Sequence, residues 1–157
     1  MKKIYYLILI LLIGCVNSTN KKAEVYLEDE TEISKEISIE LSSSDNMLFD
    51  KKILYVNSRQ KITLTLNHTG VFDKKIMGHN FVLLKKEVDI TDFAMKAMKA
   101  RDNEYIPEGD DIIAFTKLIG GGESDTIIFD APEKGSYTYI CSFPGHYGLM
   151  RGILIVK

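Results

Sequence analysis

An all-β sandwich of about eight strands with one inserted short helix is the fold this sequence predicts, on three observations. Apolar residues recur with a period of two through most of the chain. Clusters of Gly, Pro, Asn and Ser cut these runs at short intervals. Only one stretch carries a helical stripe. The 157 residues, 45% hydrophobic and 27% charged, suit one domain with a tail and leave little room for a second core. A net charge of −2 lacks the basic stripe of a nucleic-acid binder, so no nucleic-acid partner is expected.

Residues 1–14 read as an export signal. Lys2 and Lys3 form a positive start, and the apolar or aromatic run from Ile4 to Ile13 follows. That run is too short to span a bilayer, which takes about 20 residues, and it has no polar face to suit a core helix. Leu12-Ile13-Gly14-Cys15 resembles the bacterial lipobox, in which the cysteine is lipidated and begins the mature chain. Cys15 is then the membrane anchor, and loss of Lys2 and Lys3 takes the charge from −2 to −4. Residues 15–35 follow as a flexible acidic tether with Glu24, Glu28, Asp29, Glu30 and Glu32. An acidic docking tail is the alternative reading.

The domain is expected over 36–157. Ile37, Ile39 and Leu41 alternate with Ser38 and Glu40, and Ile62, Leu64 and Leu66 with Thr63 and Thr65. Further strands are predicted at 53–56, 80–84, 111–115, 126–129, 136–141 and 152–156. Asn57-Ser58, Gly70, Gly120–Gly122 and Lys134-Gly135 supply turns. The glycine run is no phosphate cradle, because no Gly-Lys-Ser/Thr follows it. The helix is placed at 90–101, with Phe93, Ala94, Ala97 and Met98 on its stripe and Thr91 or Asp89 as N-cap. Met95 and Met98 are read as ordinary packing rather than as a methionine-rich metal store.

The chemistry gathers near the C-terminus. Cys141-Ser-Phe-Pro-Gly-His146-Tyr-Gly-Leu-Met150 places a thiol, an imidazole and a thioether on one loop between two strands, with Pro144-Gly145 as its turn. A second imidazole must come from elsewhere, and His79, opening a predicted strand, is the candidate. Two imidazoles, a thiolate and a weak thioether form the donor set of blue-copper sites: soft sulfur suits Cu(I), and imidazole suits both oxidation states. Zinc is the competing metal, but structural zinc sites rarely use methionine. An inert buried thiol is the bland reading of Cys141.

The block Cys141–Gly152 closely resembles the copper loop of azurins, and Met77-Gly78-His79-Asn80 resembles their first-ligand motif. Asn67-His68-Thr69-Gly70 and Thr116–Gly120 also look like azurin segments, so the likeness runs from about residue 36 to 157. It implies a Greek-key cupredoxin sandwich holding one type 1 copper. By the same resemblance His79, Cys141 and His146 are equatorial ligands, Met150 is axial, and the Gly78 carbonyl approaches from the opposite side. Asn80 and Phe143 are implied to give backbone hydrogen bonds to the thiolate. His68 is expected to be buried near the copper as a structural or pH-sensitive residue, not a ligand. Arg59 stands where a cysteine of a disulfide usual in azurins would fall, and Phe81 replaces a tryptophan often found after the first motif.

The function this implies is a one-electron carrier of the bacterial cell envelope, not an enzyme. The chain has one loop cysteine where a dinuclear copper site needs two, and no second cupredoxin domain. A copper scavenging or delivery protein is the alternative. Expected partners are redox proteins such as c-type cytochromes, a cytochrome peroxidase or a reductase, with membrane contact through the N-terminal lipid only. The periplasmic face of the outer membrane is favoured in a Gram-negative host, because Val16 rather than aspartate follows Cys15. An apolar collar of Phe72, Ile76, Met77, Phe143, Pro144 and Leu149 is expected round His146 as the electron-transfer patch.

Overall fold

The structure, a computed structural model, describes residues 35–157. The signal segment, Cys15 and the acidic tether up to residue 34 lie outside the described residues. In chain order the elements are β1 (Glu36–Ser44), β2 (Leu48–Phe49), β3 (Ile53–Val56), β4 (Lys61–His68), α1 (Lys74–Met77), β5 (Val82–Leu84), α2 (Ile90–Lys99), β6 (Ile112–Phe115), β7 (Ser124–Asp130), β8 (Gly135–Ile140) and β9 (Arg151–Val156). The strands form two sheets, ordered β2-β1-β4-β7 and β3-β9-β8-β5-β6. β1 runs parallel to β4 and β3 parallel to β9, while the other pairs are antiparallel.

Alternation explains the packing. Leu41, Ile62, Leu64 and Leu66 of the first sheet share one buried cluster with Leu83, Tyr139, Leu154 and Val156 of the second. Val82, Leu84 and Ile140, one step out of phase on β5 and β8, join Phe93 and Ala97 of α2 instead. The helix therefore covers the far face of the second sheet. β5 is accordingly apolar at every position and buried throughout, as a strand covered on both faces must be.

The predicted strands appear with small shifts at their ends. β2 and α1 were not foreseen, since two and four residues are too few to display a period. His79 does not open the strand as expected. It makes a single antiparallel bridge to Ile119, and β5 starts at Val82. Asp89 caps α2, its carboxylate accepting from the Asp92 N–H at 2.8 Å. Met98 departs from the expected stripe: it is 47% exposed, and Met95 is 53% exposed. Neither methionine is core packing.

Where β9 crosses the buried Tyr139, only glycine fits. A methyl on Gly152 would overlap the Tyr139 hydroxyl and the Lys52 carbonyl, and that hydroxyl already donates to the Lys51 carbonyl at 2.7 Å. Gly152→Ala is expected to cost roughly 1–3 kcal/mol, the usual price of overpacking a full core. Urea unfolding of the variant measures it, and an unchanged midpoint would show that Tyr139 can move aside.

Candidate metal centre

Two chain segments meet at one end of the sandwich because β5 and β8 pair in register. Val82 faces Ile140 and Leu83 faces Tyr139. Continuing that ladder sets Asn80 against Ser142 just beyond the strand ends. The Ser142 N–H donates to Asn80 Oδ1 at 2.8 Å, and Asn80 Nδ2 donates to Ser142 Oγ at 2.9 Å. Their neighbours His79 and Cys141 are thereby held side by side.

The loop after Cys141 is closed by its own backbone. The Cys141 N–H donates to the Met150 carbonyl at 2.9 Å, the His146 N–H to Phe143 at 3.0 Å, and the Met150 N–H back to His146 at 2.8 Å. Gly145 takes the left-handed backbone at φ 84°, the conformation glycine adopts without steric cost. The loop so folded turns His146 inward.

The donor atoms converge. Cys141 Sγ lies 3.9 Å from His79 Nδ1 and 3.6 Å from His146 Nδ1, and all three fall within 4.8 Å of one another. A single ion bound at roughly 2.0–2.3 Å with near-trigonal angles requires donors roughly 3.5–4 Å apart, so the set fits. His79 and Cys141 are fully buried, and His146 is 4% exposed. Met150 is fully buried in the same cluster as Cys141. The Gly78 carbonyl stands 3.8 Å from the sulfur. A side chain at Gly78 would strike the Lys74 carbonyl and Leu118, so this close approach depends on glycine.

The surroundings set which atoms are free to bind. His79 Nε2 donates to the Ser44 carbonyl at 2.9 Å, which leaves the Nδ1 lone pair facing the sulfur. His68 lies flat against His79, with centroids 4.3 Å apart. Its Nδ1 accepts from the Gly70 N–H at 3.0 Å and its Nε2 donates to the Met77 carbonyl at 2.9 Å. With both nitrogens engaged, His68 is a buried buttress outside the donor cluster. Backbone N–H groups of Asn80 and Phe143 donate to the Cys141 sulfur. Phe143 also packs on the His146 ring at 4.7 Å.

Three contributors carry no mark in the sequence: the Ser44 carbonyl, the Asn80 side chain and Glu104. Glu104 receives the Leu118 N–H at 3.0 Å and the Lys74 ammonium at 3.1 Å, tying α1 to the segment that bridges His79. Of these the resemblance points to Asn80 alone, and only through its main chain.

Burial makes the metal-free centre neutral. It pushes the Cys141 thiol up to about 12 against the two N–H donors. It also pushes His79 and His146 down to about 4, with the nearby imidazoles adding to the effect. At neutral pH both imidazoles are ready to bind, and metal loading must release the thiol proton. An unfolded chain protonates its histidines below about 6.5 while the folded one resists until about 4. The stability they contribute is therefore full above 6.5 and lost as pH falls through this window, at about 1.4 kcal/mol per pH unit for each histidine. Urea unfolding of the metal-free protein from pH 7 to 4 should show that decline, and a flat midpoint would refute it.

Comparison with known proteins agrees with this geometry. The family model of copper binding proteins, plastocyanin/azurin family, matches residues 35–157. Azurin-1 of Alcaligenes xylosoxydans xylosoxydans is 42% identical over 125 residues, covering 76% of this chain and 96% of that protein. Azurin of Bordetella pertussis is 41% identical over 128 residues, covering 78% and 85%. Among solved structures, auracyanin A from Chloroflexus aurantiacus, described as a "blue" copper protein, superposes with a TM-score of 0.71 at 32% identity, covering 78% of this chain and 99% of that one. With this fold, this donor set and these relatives, the chain belongs to the plastocyanin/azurin family as a blue copper electron-transfer protein with one type 1 copper.

Proposed function

We propose that His79, Cys141 and His146 hold the copper, with Met150 as axial donor and the Gly78 carbonyl opposite it. One observation carries this assignment: a fully buried sulfur with two imidazole nitrogens at 3.6 and 3.9 Å, each nitrogen turned toward it. Bound copper supplies a Cu(II)/Cu(I) couple that passes one electron at a time. The protein's part is to hold one donor arrangement acceptable to both states. The Ser44 carbonyl fixes the His79 ring, the Asn80–Ser142 hydrogen bonds fix the strand ends, and the Asn80 and Phe143 N–H groups stabilise negative charge on the sulfur. Burial of every donor side chain keeps water out and opposes the ligand exchange that a scavenging or delivery protein needs.

Electrons enter and leave beside His146. Phe72, Ile76 and Leu149 are 46%, 66% and 60% exposed, while Met77, Phe143 and Pro144 are half-buried. An apolar surface of this kind sheds water readily against a partner, and a small interface suits a complex that must part quickly. The partners proposed are c-type cytochromes, a cytochrome peroxidase or a reductase. The protein works in the cell envelope, secured by lipid on Cys15, with residues 15–35 as tether. The periplasmic face of the outer membrane is its place in a Gram-negative host. It performs no catalysis of its own.

Two experiments test this reading. Cys141→Ser should abolish the intense thiolate-to-copper absorption, because a hydroxyl is a poor soft donor. Met150→Leu should keep the colour and raise the reduction potential. A colourless wild-type protein with stoichiometric copper would overturn the thiolate assignment, and loss of copper from Met150→Leu would make Met150 a principal ligand. Separately, Met77→Lys or Leu149→Asp should slow self-exchange by roughly tenfold or more, the factor given by ~1.4 kcal/mol of lost encounter stability, with an unchanged copper spectrum. Unaltered exchange rates would place the electron portal elsewhere.

A further inference from the structure

The end of the sandwich opposite the copper loop carries a group of cations that the copper site does not use. The strand registers put it there. Glu36 faces Lys61, Lys61 faces Asp130, and Gly135 faces Val156. Four backbone contacts draw this end together: Lys61 N–H to the Lys35 carbonyl at 2.8 Å, Ala131 N–H to Gln60 at 2.8 Å, Ser58 N–H to Lys157 at 2.9 Å and Gln60 N–H to Asn57 at 3.3 Å. A hollow of about 540 Å3 opens among these segments, and Lys35, Arg59, Lys134 and Lys157 line it with no Asp or Glu among the lining residues, although Glu36 and Glu133 are exposed beside Lys35 and Lys134. All four are exposed. The Lys86 ammonium donates to the Lys134 carbonyl at 3.0 Å, which brings a fifth cation to the rim. Asp130, the acid paired in register with Lys61, is held by that lysine at 3.1 Å.

Arg59 sharpens the point. Its φ of 66° is left-handed, a conformation that glycine or asparagine adopts at less cost. The turn nonetheless presents a guanidinium there. The chain from Cys15 also joins the described domain at this end, at Lys35. β4 runs from Lys61 here to His68 beside the copper ligands, a span of roughly 25 Å for eight residues.

We propose that this basic pole rests on the anionic headgroups of the bilayer to which the protein is anchored. The inference extends the lipoprotein reading above and depends on it for its setting. Lysine and arginine side chains close to an anionic bilayer are attracted within about a Debye length. One lipid anchor restrains position and leaves orientation free, and a charged contact at the far pole supplies the orientation. The copper loop then points away from the membrane, with Phe72, Ile76 and Leu149 open to soluble redox partners.

The test uses the copper-loaded full-length protein, expressed in a host that processes lipoproteins, with vesicles of phosphatidylcholine alone or with about one third phosphatidylglycerol. Flotation with phosphatidylcholine vesicles at about 0.5 M salt, where headgroup attraction is screened, scores the lipid anchor by itself. Acetylation rates of individual lysines on phosphatidylglycerol vesicles at low salt score the pole, whether or not the anchor is present. Lys35, Lys134 and Lys157 should label at least roughly threefold more slowly there, recovering at high salt as screening requires, while Lys75 and Lys117 at the copper end are unaffected. The double substitution Arg59→Glu, Lys134→Glu should remove the protection of Lys35 and Lys157 while flotation and copper colour persist. Equal labelling at both poles, protection already complete without vesicles, or the same protection by inorganic phosphate would each overturn the proposal.

Discussion

Asn80 and Ser142 stand two residues past the last paired residues of β5 and β8, and the copper end of the molecule is organised around them. Their side chains and backbone continue the ladder where the strands themselves have stopped. The residue before Asn80 and the residue before Ser142 are His79 and Cys141. A shift of one residue between β5 and β8 would therefore turn one of these donors away from the other. The same register sends Val82, Leu84 and Ile140 toward α2 and Leu83 and Tyr139 toward the opposite sheet. Fixing the metal centre and dividing the core into its two clusters are thus consequences of one pairing.

The buried centre is also an electrostatic arrangement. A thiol pushed up to about 12 and imidazoles pushed down to about 4 show how unwelcome an isolated charge is there. A metal cation and a thiolate enter as a pair, each compensating the other, with two amide N–H groups already aimed at the sulfur. Because these dipoles are held by the fold before any metal arrives, little reorganisation accompanies a change of one charge. Low reorganisation is the physical requirement for fast electron exchange.

The readable and unreadable parts of the sequence divide along physical lines. Strands such as β1 and β4 were legible because one face of each is buried, which writes a period of two into Ile37–Leu41 and Ile62–Leu66. The loop from Cys141 to Met150 was legible because its donors are contiguous. His79 could be nominated as the second imidazole from its place beside a predicted strand, but only the resemblance assigned it as a ligand, since nothing local records a pairing with a strand some sixty residues away in sequence. Met98 was misplaced because it lies about 90° from the centre of the stripe set by Ile90, Phe93, Ala94 and Ala97, beyond what the sheet covers. Ser44 acts through its carbonyl, a group every residue has, so no residue type could announce it.

The groups that orient the centre are mostly main chain. The Ser44 carbonyl holds His79, the Met77 carbonyl and Gly70 N–H hold His68, and the Asn80 and Phe143 amides face the sulfur. Replacing the side chains of Ser44, Met77 or Phe143 leaves these particular groups in place as long as the backbone path survives. The centre is thereby insulated from much of the ordinary drift of amino-acid sequence. Such a design lets the surface residues around it diversify toward new redox partners while the donor geometry is inherited unchanged.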